Sequence, residues 1–101
     1  MPRAFQKIIG DDRHIVLVED GGTVGLVYVE EEARVCVYRP RQHGQWDALY
    51  FDLEGELLGQ KVAPFSDAML ETLGRVVRTG DVIVDGRFVG WLMEMARRGK
   101  N

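Results

Sequence analysis

The sequence predicts an α+β domain: an antiparallel five-stranded β meander, forming a curved sheet or partial barrel, followed by a helix, a short strand and a C-terminal helix. Three observations support this fold class. Residues 14–62 contain short apolar runs separated by turn-forming residues. After Pro64 the apolar residues recur at helical spacing. Strands that come before the helices, rather than alternating with them, are typical of α+β domains.

The first half of the chain contains all five strands of the predicted meander. The chain has 101 residues, which is enough for one domain with one hydrophobic core. We expect residues 1–13 to be a lead-in with one helical turn, and residues 14–62 to form the meander. The predicted strands are His14–Glu19, Thr23–Val29, Arg34–Tyr38, Trp46–Leu53 and Glu56–Val62. Gly21 and Gly22 favour a tight turn between the first two strands, because glycine adopts positive φ without steric cost.

A first helix is predicted over residues 66–79. Ser66 is a favourable N-cap, and Gly80 is a residue type at which helices commonly end. The apolar residues between them recur at i, i+4, i+7 and i+8, so they share one helix face. They are Met69, Leu73, Val76 and Val77. A short strand is expected at residues 81–84.

Residues 85–92 allow two interpretations. Asp85-Gly86 between apolar runs is typical of a β-hairpin, but Asp85 is also a suitable helix N-cap. The apolar residues that follow recur at helical spacing. They are Phe88, Trp91, Leu92, Met95 and Ala96. We therefore predict a helix over residues 86–98 whose apolar face, Trp91 included, packs in the core.

The predicted strands are apolar on both faces. In Thr23–Val29, for example, Leu26 and Tyr28 point to one side of the sheet and Val27 and Val29 to the other. Two helices do not easily cover both faces of a five-stranded sheet. The sheet therefore either curls into a partial barrel or buries its second face against another copy of the chain. We expect a homodimer.

Composition and charge restrict the class of protein. The net charge is −3, with acidic side chains predominating over residues 1–74 and basic ones over residues 75–101. This balance disfavours a surface coated for nucleic acid but allows a local basic patch. No secretion signal follows Met1, and no apolar run is long enough to span a membrane, so we expect a cytoplasmic protein. The bias toward Arg and Val fits a thermophile and a GC-rich bacterial genome equally well.

The sequence shows no catalytic or metal-binding set. The single cysteine, Cys36, lies between two valines, and neither His14 nor His43 is spaced to serve as its base. One cysteine and two distant histidines fall short of the three or four ligands that a zinc site needs. We interpret the glycine-rich segment 21–25 and the acidic segment 30–32 as turns, and we expect neither a cofactor nor enzymatic activity.

The residues with which we expect the protein to contact a partner are mostly basic. They are Arg39, Arg41, His43, Trp46, Arg87, Arg97 and Arg98. The predicted function is a small non-enzymatic intracellular binding or regulatory module that acts through protein–protein contacts. One alternative is a nucleic-acid-associated regulator that uses the basic loop and the basic C-terminal helix, since basic residues beside an aromatic ring bind phosphates and stack on bases. Another is a ligand-binding barrel or enzyme whose polar residues converge only in three dimensions.

Overall fold

The computed structural model describes residues 3–99, which form one antiparallel sheet and two α-helices. The elements, in chain order, are β1 (Arg3–Ile9), β2 (Arg13–Asp20), β3 (Thr23–Glu31), β4 (Arg34–Pro40), β5 (Gln45–Phe51), β6 (Leu57–Pro64), α1 (Asp67–Thr79), β7 (Asp81–Ile83) and α2 (Gly86–Arg97). The predicted α+β class and the antiparallel sheet are confirmed. Neither helix within residues 3–99 is long and apolar enough to cross a membrane.

The sheet has seven strands in the order β6-β5-β4-β3-β2-β1-β7, so the predicted count of five is wrong. The residues predicted as a helical lead-in form β1, which pairs with β2 from Arg3↔Glu19 to Ile9↔Arg13. Residues 1–2 of that lead-in lie outside the described residues. β7 then joins the same sheet beside β1. The sheet is open, with β6 and β7 as its two edges, and does not close into a barrel.

The strand boundaries follow from local turn chemistry. Gly21 and Gly22, at φ 62° and 82°, form the two-residue turn between β2 and β3. β5 ends at Phe51, two residues earlier than predicted, because the Asp52 carboxylate accepts hydrogen bonds from the backbone N–H groups of Glu54 and Glu56. Such a side chain–backbone turn competes with continued strand pairing.

The two helices lie on opposite faces of the sheet, which explains why the strands are apolar on both sides. α1 packs against β1 and β2, and α2 packs against β3 and β4. The cluster on the α1 face contains Phe5, Ile15, Leu17, Val27, Val29, Leu73 and Val76. The cluster on the α2 face contains Ala4, Val16, Val18, Leu26, Tyr28, Val35, Val37, Leu49, Phe51, Leu92 and Met95. Both faces are therefore covered within one chain, and the doubly apolar strands do not by themselves require a second copy.

The ends of α1 are fixed by one side chain and one close approach. The Ser66 hydroxyl accepts a hydrogen bond from the Met69 N–H at 3.1 Å, which satisfies a free donor of the first turn. At the other end, a Cβ on Gly80 would lie 2.5 Å from the Val76 carbonyl oxygen and 2.7 Å from that of Gln6. Glycine at position 80 therefore lets the chain turn from α1 into β7 directly against β1.

Residues 85–92, for which the sequence allows either a hairpin or a helix, form the N-cap and first half of α2. Asp85 caps α2 by accepting a hydrogen bond from the Arg87 N–H at 3.0 Å. Leu92 and Met95 are buried against the sheet, as the helical spacing predicts. Trp91, which we expected in the core, is 46% exposed. Its ring lies at the margin of the helix–sheet contact, 6.1 Å from that of Tyr28.

Candidate functional site

A buried charge cluster joins β4 to β5 beneath the end of α2. Arg39 and Asp47 are direct cross-strand neighbours on the face that α2 covers. The Asp47 carboxylate is only 4% exposed and uses both of its oxygens. Arg39 Nε donates to Asp47 Oδ2 at 2.9 Å, and Arg41 Nη1 donates to Oδ1 at 2.9 Å. Two guanidinium groups thus share one buried carboxylate.

The arginines keep Asp47 ionised. Burial by itself raises the pKa of the Asp47 carboxyl group, because desolvation disfavours its charged form. The hydrogen bonds from Arg41 and Arg39, together with their positive charges, outweigh burial and hold this pKa below its ordinary value. The cluster therefore remains charged at neutral pH, with two cations for one anion.

Arg39 also binds the C-terminal end of α2. Its Nη1 donates to the Ala96 carbonyl oxygen at 2.7 Å and to that of Gly99 at 3.3 Å. Carbonyl groups in the last turn of a helix lack partners within the helix, and a cation is favourable beside them. The same end of α2 is held by Arg98, whose guanidinium donates to the Gly55 carbonyl oxygen in the β5–β6 turn. The charge cluster thus fixes where α2 ends on the sheet.

A groove runs along one side of α2 and reaches Arg39. We call it the α2 groove. Its larger part has a volume of about 500 Å³ and is lined by Val18, Asp20, Gly25, Leu26, Arg39, Pro40, Met93, Ala96 and Arg97. A second depression of about 330 Å³ shares Met93 and extends toward β7, where it is lined by Ala4, Ile83, Val84, Gly86, Val89 and Gly90. The groove therefore has an apolar floor, two arginines and one aspartate.

The segment between β4 and β5 brings three of its four predicted contact residues together, but not Trp46. Arg39, Arg41 and His43 line one depression of about 550 Å³. The Trp46 ring stacks on the Phe65 ring, with centroids 4.2 Å apart and planes 22° apart, and it belongs to the apolar cluster on the α1 face. Arg39 and Asp47 point to the α2 face instead. His43 is exposed at φ 62°, in the turn of the loop. Trp46 is therefore not an exposed platform beside Arg39.

The three basic residues predicted on the C-terminal helix lie at its two ends, Arg87 at the start and Arg97 and Arg98 at the finish. Arg87 is highly exposed at the start of α2 and lies 3.5 Å from the Asp85 carboxylate that caps the helix. Arg97 pairs with Glu94 and lines the α2 groove. Of the seven predicted contact residues, four lie at the C-terminal end of α2 or in the charge cluster beside it: Arg39, Arg41, Arg97 and Arg98.

Cys36 lies in an environment that disfavours its thiolate. It is buried in β4, on the face opposite the charge cluster. Burial raises the pKa of its thiol to about 11, and this outweighs the lowering effects of the hydrogen bond with Tyr38 and the charge of Lys61. A nucleophilic cysteine needs the opposite environment. Within residues 3–99, no group of three or more His, Cys, Asp or Glu side chains is arranged to hold a metal ion.

Sequence reasoning missed Asp47 as part of the site. Asp47 is the one charged residue in the strand Gln45–Phe51, and such a residue in an apolar strand requires a buried partner. That signal was present, but naming the partner required the register that places Arg39 opposite Asp47.

No protein-family model, curated protein sequence or solved structure matched this chain.

Proposed function

We propose that this chain is a non-catalytic binding module that holds a segment of a protein partner in the α2 groove. The observation that carries this proposal is the groove itself, about 500 Å³ in volume, with an apolar floor and arginines along its wall. Binding sites for small molecules and peptide side chains have volumes in this range, and they combine mostly apolar linings with a few placed polar groups.

The lining specifies the chemistry of the segment. Val18, Leu26 and Met93 offer apolar contact, and the flexible thioether of methionine adapts to different side chains. Arg97 and, next to the groove, Arg41 present partly exposed guanidinium groups. The occupant that fits is a peptide segment with apolar side chains next to a carboxylate, supplied by an acidic residue or by a chain terminus. A guanidinium binds a carboxylate with two parallel hydrogen bonds, which fixes orientation.

Peptide selection with two matched variants tests this proposal. Met93, in the groove, and Val77, on α1 at the opposite face, are each 41% exposed, so M93D and V77D introduce the same charge at equal exposure. Peptides selected on the wild-type chain should combine apolar residues with Asp, Glu or a free C-terminus. M93D should weaken their binding by about tenfold or more, and V77D should leave it unchanged. Peptides without a carboxylate, or equal losses in both variants, contradict the proposal.

Nucleic-acid binding is the alternative that the same arginines leave open. It has less support, because the Trp46 ring stacks on Phe65 within the protein and does not lie beside Arg39, where it could stack on a base. Binding of single-stranded oligonucleotides measured over a range of salt concentrations separates the two functions. Affinity that falls steeply with salt and is lost in R97E would favour the nucleic-acid alternative.

A further inference from the structure

A polar depression lies beside the turn between β4 and β5. We call it the turn depression. It has a volume of about 550 Å³ and is lined by Arg39, Pro40, Arg41, Gln42, His43, Gln45 and Asp47. Arg39 and Pro40 also line the α2 groove, so the two cavities adjoin each other. Because most of its lining residues are polar, the turn depression suits a different kind of ligand from the apolar groove.

The charges of the turn depression do not cancel. Among the described residues that line it, Asp47 is the one acidic residue, and two arginines donate hydrogen bonds to it. Two guanidinium groups and one ionised carboxylate leave a net charge of +1. The carboxylate is 4% exposed and both of its oxygens accept hydrogen bonds, so it presents little negative charge to a ligand. The field of this cluster therefore favours an anion.

The two arginines of the cluster differ in what they contact. Arg39 pairs with Asp47 and binds the last carbonyl groups of α2, and its side chain is 16% exposed. Arg41 also pairs with Asp47, but its side chain is 42% exposed. A guanidinium has five N–H donors, and the bond to Asp47 Oδ1 at 2.9 Å uses one of them. Arg41 is therefore a cation that a buried carboxylate orients before any ligand binds, which lowers the entropy cost of binding.

The turn places further donors next to Arg41. The Arg41 N–H donates to the Gln45 carbonyl oxygen at 2.7 Å, and the Gln45 N–H donates to that of Gln42 at 3.4 Å. These bonds close a tight turn in which His43 and Gly44 have φ angles of 62° and 71°. Gln42, His43 and Gln45 line the turn depression, and their side chains carry N–H groups that can donate to an oxyanion.

We propose that the turn depression binds a phosphate monoester whose oxygens accept hydrogen bonds from Arg41 and His43. A phosphate monoester has close to two negative charges at neutral pH and three acceptor oxygens. A carboxylate has one charge and two oxygens, so it would leave more of these donors unused. A cavity of about 550 Å³ also has room for the organic part of a small ligand. A phosphorylated small molecule and a phosphorylated side chain both present this group.

The phosphate site is separate from the proposed peptide binding in the α2 groove. Arg97 and Met93 line that groove and not the turn depression. M93D should therefore bind phosphate as tightly as V77D does, although M93D should lose the selected peptides. Failure of either proposal leaves the other standing.

NMR titration of the isotope-labelled chain tests the ligand class. Methyl phosphate, the smallest phosphate monoester, should bind saturably and shift the amide signals of residues 41–45. Acetate and dimethyl phosphate, each with a single negative charge, should bind about tenfold more weakly at the same ionic strength. Dimethyl phosphate has the diester chemistry of a nucleic-acid backbone, so it also separates this site from the nucleic-acid alternative. Equal affinity for the three anions, or shifts centred outside the turn, overturns the proposal.

Two variants with a matched control test the residues. R41Q should weaken the binding of methyl phosphate by about tenfold or more, because a charged donor is lost while Arg39 still pairs with Asp47. R34Q removes the same charge at the other end of β4 and should bind as the wild type does. H43G removes the imidazole but fits the positive φ of the turn, and it should weaken binding by about threefold to tenfold. A folded R41Q that binds as tightly as R34Q overturns the proposal.

Competition against methyl phosphate then identifies the source of the phosphate group. Sugar phosphates and nucleoside monophosphates represent small molecules, and phosphoserine peptides represent modified protein segments. Tighter binding of a member of either set supports the site and names its source. If no member of either set binds more tightly than methyl phosphate, the turn depression recognises no organic part, and its assignment as a ligand site is overturned.

Discussion

At the scale of single residues, the charge cluster shows how one buried carboxylate organises several elements. Asp47 binds Arg39 and Arg41, and Arg39 in turn binds the last carbonyl groups of α2. A buried ion pair is weak evidence for overall stability, because desolvation offsets much of the attraction between the charges. Removing only one partner of the pair is costly, however, because the remaining charge is then buried without a counterion. The cluster therefore specifies where β4, β5 and α2 meet.

We expect D47N to lower the free energy of unfolding by about 3 kcal/mol, because Arg39 remains half-buried without its counterion. E19Q is the matched control. It removes the carboxylate from the Arg3–Glu19 pair, whose arginine is mostly exposed, and should cost less than about 1 kcal/mol. Urea denaturation at neutral pH measures both.

The same substitution has a predicted effect on acid stability. Because the pKa of Asp47 is lower in the folded state than in the unfolded state, the unfolded state binds more protons in acid. This contribution to stability is complete above the unfolded pKa of about 3.9 and is lost as pH falls through the folded pKa. The wild type should therefore lose more stability than D47N below about pH 4. Equal slopes in the two proteins would show that Asp47 is not the group responsible.

At the scale of elements, local sequence patterns predicted the secondary structure of each segment more accurately than its position in the packed fold. The N-caps Ser66 and Asp85 both form as expected, because a cap depends only on residues a few positions away. β1 was missed because its Ala4 and Phe5 make a short apolar run, and only pairing with β2 on one side and β7 on the other makes it a strand. The opposite placement of α1 and α2 depends on the crossover after β6, for which the sequence carries no local signal.

Periodicity likewise placed the apolar stripes correctly but not their margins. Leu73 of α1 is buried, whereas Trp91 of α2 is 46% exposed. We expect L73A to lower the free energy of unfolding by about 2–5 kcal/mol, and W91A by roughly 1–2 kcal/mol, mostly through lost contacts with Tyr28 and Phe88. Thermal and urea unfolding of the two variants side by side measures the difference. A larger loss in W91A than in L73A would place Trp91 in the core after all.

The candidate site could be predicted only in part from the sequence, because its contacts join residues that are far apart along the chain. Arg39, Arg41 and Arg97 were expected to bind a partner, and they lie at or beside the α2 groove. Arg39 binds the carbonyl oxygen of Ala96, which lies 57 residues away in the sequence. Local sequence patterns do not predict a contact over that distance. Trp46 was misplaced because a tryptophan at the start of a strand can face either side, and the register sends it to the α1 face.

At the scale of the whole molecule, the two helices cover the sheet unevenly. β2 and β3 lie at the centre, with apolar residues buried on both faces, whereas β6 lies at an edge and none of its residues is fully buried. Segments with few buried apolar contacts open at lower free energy than the core does. The stability of the molecule should therefore decrease from the centre of the sheet toward β6.

Amide hydrogen exchange followed strand by strand measures this gradient. We expect the slowest exchange in β2 and β3, at rates that report global unfolding, and faster exchange in β6. Exchange in β6 as slow as in β3 would contradict the uneven stability that the topology implies.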